Sequence, residues 1–384
     1  MTKKGMNMPA VKARNRSLIL RDFLAKGSLS RKDLAEDTGL TQASVTQICS
    51  EFLEEGLLRE TGEARSDAKV GRKKILLDLN SQYCFILAVT IETEWTKVTL
   101  SDWCGQRVAY RSRKTESNLE PIEFLRKIAG DGEQLLGKVP SSIRQRVAGV
   151  SVAISGQVDI RRGSSIRAYG LWEKEVPVCD FLSEQLHMPV MIENNVDSFA
   201  LAETFFGSGR SYNNLLVIKW GPGVGASIVI GRELYEGHHQ KAAEIGHFIV
   251  EKNGKKCSCG RRGCLETRVS YQALSQILPF EMEEFGEVYE NLKRQEPQSV
   301  ALQKWEEAMD LFARTIVNSV TVLAPSRVIL YGKMFADEGV RARIIANCEA
   351  YAGKDFGSQV LYTTLADKED YIGPVAVYLK RTFL

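Results

Sequence analysis

The densest chemistry of the chain lies at residues 244–266, EIGHFIVEKNGKKCSCGRRGCLE. Cys257, Cys259 and Cys264 fall within eight positions, and His247 stands ten residues before the first of them. Three thiolates and one imidazole complete a four-donor tetrahedral shell, which is how structural zinc is held. Such cysteines can instead pack as small buried hydrophobes. The polar neighbours Ser258, Arg261 and Arg262 weigh against that use. Glu244 and Glu266 bracket the cluster. A metal knot beside paired carboxylates reads as the rigid wall of a binding site, although ordinary surface ion pairing would also account for the two glutamates.

The elements that must hold this segment belong to a long chain. At 384 residues there is room for two or three domains with their own cores. The 44% hydrophobic and 26% charged content is that of an ordinary soluble globular protein. No stretch approaches a membrane-spanning apolar run, and the basic N-terminus MTKKGMNMPAVKARNRS is not followed by an apolar signal core. The expected location is cytoplasmic, where thiols stay reduced and the cluster reads as metal ligands before disulfides. Cys49, Cys84, Cys104, Cys179 and Cys348 are scattered and read as buried or incidental thiols. The net charge of +3 is unevenly spread: residues 1–80 carry 15 Lys and Arg against 11 Asp and Glu, the remainder 36 against 37. A basic N-terminal excess suits a nucleic-acid-binding module, although a solvated basic tail would look the same.

Residues 14–58 give that module a shape. Apolar residues at helical spacing predict a helix from Arg14 to Lys26, ended by Gly27. Ser30 caps a second helix, Arg31–Asp37, with Asp33 placed for a capping box. After a Thr38-Gly39-Leu40 turn, Thr41 caps a third helix running to about Glu55, its buried face Val45, Ile48, Phe52 and Leu53. This is the helix-turn-helix layout. Gln42, Ser44, Thr46 and Gln47 are the candidates for reaching bases in a major groove, and Arg31 is a further candidate for DNA contact. The following RETGEARSDAKVGRKKILLDLN predicts a winged hairpin, with Arg72, Lys73 and Lys74 against the DNA backbone or minor groove. A flexible charged linker is the plainer alternative. Residues 1–80 are therefore taken as a winged helix-turn-helix DNA-binding domain, and 81–384 as a second, ligand-binding domain.

In that second domain the apolar β-rich runs YCFILAVTI, WTKVTLSD and QRVAYRSR precede a helix over about Pro121–Leu136. VAGVSVAIS and PVMIEN are further strands, and a helix spans Asn195–Phe206. NNLLVIKW and VGASIVIG flank a glycine turn, Ser299–Leu323 is helical, and RVILYG is a strand. Strands alternating with helices indicate an α/β domain. Residues 267–300 read as a polar, helical stretch without an assigned role, and no short repeat is visible.

Over essentially its whole length the chain resembles the ROK family (repressors, open reading frames and sugar kinases), in its transcriptional-repressor branch. The resemblance rests on EIGH at 244–247, CSCGRRGCLE at 257–266, GPGVG at 221–225, IENN at 192–195 and the helix-turn-helix. It implies an α/β, two-lobed, actin-like (ribonuclease-H-like) fold with a sugar bound between the lobes. It implies a structural Zn2+ on His247, Cys257, Cys259 and Cys264. It also implies sugar contacts from Ser155, Gly156, Asn194, Asn195, Glu244, His247 and Glu266. Carboxylates and amides suit vicinal hydroxyls, and His247 can serve both sites through its two ring nitrogens. Arg161, Arg162, Arg167, Trp172 and Trp220 are further candidates for shaping selectivity.

Departures from the family pattern bear on catalysis. Family kinases carry Asp-x-Gly-Gly-Thr at the first strand turn, where this chain has Thr90-Ile91-Glu92-Thr93-Glu94. Acidic groups there oppose phosphate. The family's catalytic base follows an asparagine; here the pair is Asn194-Asn195, and an amide accepts no proton. Gly332-Lys333 replaces paired glycines, and GPGVG reads equally as a hairpin turn. The expectation is a non-enzymatic, sugar-responsive repressor of carbohydrate-metabolism genes. It would bind an operator in double-stranded DNA as a homodimer or tetramer, be relieved by a monosaccharide, and have no membrane partner. The alternative is an ATP-dependent ROK sugar kinase with an attached DNA module.

Overall fold

The computed structural model describes residues 8–64, 74–237 and 242–384. The chain divides into two compact units, residues 1–193 with 370–384, and residues 194–369.

The first unit opens with α1 (Met8–Lys26), β1 (Leu29–Ser30), α2 (Arg31–Thr38), α3 (Gln42–Glu54), β2 (Leu58–Ala64) and β3 (Lys74–Leu79). Each boundary has a local cause. Gly27, at φ 77°, donates back to the Phe23 carbonyl and ends α1. Ser30 and Asp33 form a reciprocal capping box on α2, and the Thr41 hydroxyl accepts the Ser44 N–H at the start of α3. α3 buries Val45, Ile48, Cys49 and Phe52, one stripe at helical spacing. Leu53, expected on that stripe, lies a further 100° around the helix and is only half-buried. β2 and β3 run antiparallel from Leu58↔Leu79 to Ala64↔Lys74, the expected wing. The two-residue β1, not foreseen from sequence, adds a third strand by pairing Leu29 with Leu77. Arg72 and Lys73 lie outside the described residues.

A dense junction follows. The Asn80 side-chain amide donates to the Gly56 carbonyl at 2.9 Å, and the Trp103 indole N–H donates to the Asn80 carbonyl at 2.7 Å. Trp103 is 1% exposed and makes ring contacts with Tyr83 and Phe383, at centroid distances of 5.7 and 5.2 Å.

The rest of the unit is built on β4 (Phe85–Ile91), β5 (Trp95–Asp102) and β6 (Arg107–Lys114), an antiparallel meander. β7 (Val147–Ile154) joins β4 in parallel, β8 (Gly156–Asp159) and β9 (Ser164–Ala168) form a side hairpin, and β10 (Val190–Asn194) lies beyond β7. The two faces of this sheet differ. Phe85, Leu87, Val89 and Ile91 pack with Val150, Val152 and Ile154 against the helices Pro121–Gly137 and Val178–Leu186. On the other face Thr99, Ala88 and Ser151 stand abreast. Those residues are small because the C-terminal helix Ile372–Thr382 lies close on them. A Cβ on Gly149 would stand 3.0 Å from the Tyr378 ring and 2.8 Å from the Pro189 carbonyl. Lys97 and Arg107 anchor the approach to that helix through Asp370, at 3.1 and 3.4 Å.

The second unit repeats the plan. β11 (Leu215–Trp220), β12 (Val224–Ile230) and β13 (Glu233–Leu234) form an antiparallel meander; β14 (Arg327–Tyr331) and β15 (Val360–Tyr362) extend it in parallel. The sheet order β13-β12-β11-β14-β15 mirrors β6-β5-β4-β7-β10. The repetition lies in topology, which is why no short sequence repeat betrays it. The fully buried Trp220 sits among Phe285, Phe312 and Phe335 at centroid distances of 5.1 to 5.5 Å, and its indole N–H donates to the Val269 carbonyl at 2.6 Å. The stretch 267–300 contributes the helix Phe285–Gln295, whose Phe285, Tyr289 and Leu292 complete this core. No helix among the described residues is long and apolar enough to cross a membrane.

Candidate functional site

The four donors found in the sequence converge. One ligand atom from each of His247, Cys257, Cys259 and Cys264 lies within 4.8 Å of all the others, so the cluster could hold a metal ion. Cys257 Sγ stands 3.5 Å from His247 Nδ1, and Cys259 Sγ 3.6 Å from Cys264 Sγ. The loop is shaped by short backbone ties. Gly260 N–H donates to the Cys257 carbonyl, Cys257 N–H to Arg261, and Gly263 N–H to Lys255. Gly263 is obligatory, since at φ 73° its Cβ would lie 1.8 Å from the Glu251 carbonyl oxygen. Bridges pairing Ile249 with Cys264 and Lys256 with Arg262 hold the two limbs together. Burial raises the thiols, but at Cys259 hydrogen bonds from the Arg261 backbone and side chain outweigh it and hold the thiol down to about 7.

His247 faces two ways. Its Nδ1 points into the cluster, while Nε2 lies 3.7 Å from Glu244 Oε2. At that separation the two groups are in electrostatic range but not hydrogen-bonded.

Glu244 and Glu266 are brought to one place by the GPGVG segment, which is the tight turn between β11 and β12. Glu266 Oε2 accepts the Val224 N–H at 3.3 Å. A Cβ on Gly223 would lie 2.7 Å from that oxygen, and one on Gly246 would lie 2.2 Å from the Val224 carbonyl. Burial pushes the Glu266 carboxyl above its ordinary range, and the charge of Glu244 adds to the shift.

Asn194 and Asn195 open the helix Asn195–Phe205. Asn194 Oδ1 caps it, accepting the Val196 and Asp197 N–H groups at 2.7 and 3.2 Å; Asn195 Oδ1 accepts the Val196 N–H at 3.0 Å. Both amide oxygens are therefore engaged by backbone, and each Nδ2 is a donor. Sequence reasoning missed Asp197. Its carboxylate accepts the Ser227 hydroxyl at 2.6 Å, and loss of hydration together with Glu244 and Glu236 pushes it up to about 6. The signal was present, because an acid stands two positions after Asn195, the position where the family's base is replaced by an amide.

Ser155 and Gly156 belong to the first unit, at the start of β8. Gly156 has φ 141°, and a Cβ there would lie 2.1 Å from the Arg167 carbonyl. Trp172 and Trp220 are core residues, with Trp172 donating to Ser165 Oγ at 3.1 Å. Arg162 and Arg167 are paired with Glu175 and Glu173 at 2.9 and 2.6 Å. In the helix-turn-helix, Gln42, Thr46 and Gln47 are exposed, Ser44 is half-buried beside the Thr41 hydroxyl, and Gln47 donates to Glu51 at 3.3 Å. Arg31 is half-buried near Cys49, whose thiol burial pushes up to about 11. The polar exposed start of α3 and the antiparallel wing thus belong to one small body.

Residues 97–380 match the ROK family. The chain belongs to that family. It is 28% identical to the xylose repressor of Bacillus spizizenii over 269 residues, covering 70% of this chain and 68% of that protein. It is 23% identical to the xylose repressor of Caldicellulosiruptor bescii over 393 residues, covering 97% of both. Among solved structures it is similar to a ROK family transcriptional regulator that is a homologue of the E. coli MLC protein. That match has a TM-score of 0.77, 20% identity and 96% coverage of each chain, and shows that the fold is shared.

Proposed function

We propose that this ROK chain is a sugar-responsive transcriptional regulator, in which the residue 1–80 head binds a DNA operator and the remainder binds a monosaccharide. The observation that carries the reading is the joining in one chain of a winged helix-turn-helix to a ROK domain. Relatives named xylose repressor that match over nearly the full length support it. Gln42, Ser44, Thr46 and Gln47 would meet base edges, with Arg31, Arg72, Lys73 and Lys74 serving phosphates. Two heads in a homodimer would read a palindromic operator.

The metal proposed for the four-donor cluster is zinc. Bond lengths of about 2.3 Å to sulfur and about 2.0 Å to nitrogen put tetrahedral S···S at about 3.8 Å and S···N at about 3.5 Å. The pairs here stand at 3.6 and 3.5 Å. Bound zinc would cross-link the loop that carries Glu244 and Glu266, and all four positions being taken by protein makes the role structural. Asn194, Asn195, Glu244, His247 and Glu266, with Ser155 and Gly156, are the groups proposed to meet sugar hydroxyls.

Effector control requires that the DNA-binding and DNA-released states differ in sugar affinity. Titrating monosaccharides, xylose among them, against operator binding tests the reading. At least one sugar is expected to shift the binding curve; a curve that none moves would remove the effector role. The second reading is a sugar kinase. Asp197 favours it, being a carboxylate with raised proton affinity on the turn where a base is needed. Glu92 and Glu94 in the β4–β5 turn oppose it. Release of ADP by purified protein given ATP and a hexose or pentose would establish the kinase instead.

A further inference from the structure

A cavity of about 540 Å³ opens in the second unit, between the metal-cluster loop, the turn after Glu266 and the long helix Val300–Leu323. Its size falls within the range of small-molecule sites. Four cations line it, Lys255, Arg262, Arg268 and Lys304, against the two carboxylates Glu251 and Glu307.

Ion pairing does not cancel this charge. Arg268 alone engages both carboxylates, at 3.0 Å to Glu251 and 3.6 Å to Glu307. Lys255 donates to the neutral Gln276 at 3.3 Å. Among the described residues neither Arg262 nor Lys304 has an ion-pair partner. Three cations without a carboxylate of their own therefore line one concavity. All three are exposed, so water screens their mutual repulsion, and an anion entering the cavity would meet their shared positive charge.

The wall is stiff. A Cβ on Gly254 would lie 2.6 Å from Glu251 Oε2 and 2.8 Å from Gly263 Cα, so backbone strands touch there without side chains between them. Arg262 sits on the bridge to Lys256 and adjoins Gly263. Thr267 adds a hydroxyl at the cavity rim, fixed by its bond to the Cys264 carbonyl at 2.7 Å.

We propose that this cavity is an anion site, separate from the residues assigned to sugar, that takes a small phosphomonoester. A phosphomonoester carries close to two negative charges and three acceptor oxygens, which suits a cavity lined by a guanidinium and two ammonium groups that lack carboxylate partners. A monocarboxylate would leave two of the cations uncompensated.

The test uses isothermal titration calorimetry on the purified full chain and needs neither operator nor sugar, so its failure is distinct from failure of the regulator reading. The probes are inorganic phosphate, glycerol 2-phosphate, which has no sugar ring, and citrate. The phosphomonoester is expected to bind, with affinity falling as salt rises. Lys304→Ala, on a helix remote in sequence from the metal loop, is expected to weaken it about tenfold or more, as loss of a charged hydrogen bond does. Arg262→Ala is expected to do the same while keeping its metal content. Absence of binding, or equal affinity in Lys304→Ala, overturns the site. Citrate binding as tightly as glycerol 2-phosphate overturns the phosphomonoester assignment.

Discussion

Asp197→Asn isolates one buried charge and should stabilise the protein as pH rises. The Asp197 carboxyl is pushed from 3.8 to about 6 by loss of hydration and by Glu244 and Glu236, while the Ser227 hydroxyl opposes the shift. A folded-state pKa above the unfolded value means that the native form holds its proton longer. Between the two values the folded state binds more protons, so stability falls as pH rises. About two pKa units at about 1.36 kcal/mol each make the full cost roughly 3 kcal/mol above pH 7, with about half of it present at pH 5. Asparagine keeps an oxygen for the Ser227 hydroxyl and carries no charge, so the variant escapes the cost. For a unit of this size 1 kcal/mol moves Tm by roughly 2–4 °C, so the variant should melt roughly 6–12 °C higher at pH 7.5. The assay is the difference in Tm between the two proteins, measured by calorimetry at intervals from pH 4.5 to 7.5. Carboxylates remote from Asp197 titrate alike in both proteins and cancel in that difference. A difference that is flat with pH, or that shrinks as pH rises, would refute the assignment of a raised pKa to Asp197.

Further outcomes concern the metal loop. Cys257→Ser should lower the metal content of the purified protein, read by atomic absorption, and weaken monosaccharide affinity, because the loop also carries Glu244 and Glu266. Unchanged metal and sugar affinity would separate the cluster from ligand binding. Gly263→Ala should cost several kcal/mol, since its Cβ would stand 1.8 Å from a carbonyl oxygen at a left-handed φ of 73°. Gly260→Ala, at φ 90° with open space around it, should cost only about 1 kcal/mol, from backbone strain alone. Thermal melts of the two variants compare these costs directly.

Much of this was legible in the residues. The capping signals of Ser30 and Thr41, the left-handed Gly27 and Gly39, and the period-matched apolar stripe of α3 are local, and local rules place them. The donor cluster was legible because a metal shell needs particular atom types, whatever the fold around them. Three things were not. The helix Ile372–Thr382 has no side-chain cap to announce its start, and is settled by the small-residue sheet face it covers. The shared plan of the two sheets is a matter of strand order, which leaves no residue-by-residue echo. The cation-lined cavity joins residues some 50 positions apart, Lys255 to Lys304, which only tertiary packing brings together.

The order in which the polypeptide is threaded through the first unit also has a consequence for its synthesis. Residues 194–369 are contiguous and can collapse as soon as they leave the ribosome, whereas the first unit needs a segment, 370–384, that is made after them. Until Asp370–Leu384 emerges, the sheet bearing Thr99, Ala88 and Ser151 has no lid, and Trp103 lacks the Phe383 ring. A nascent or prematurely terminated polypeptide would therefore carry its reading head on an unfinished mount.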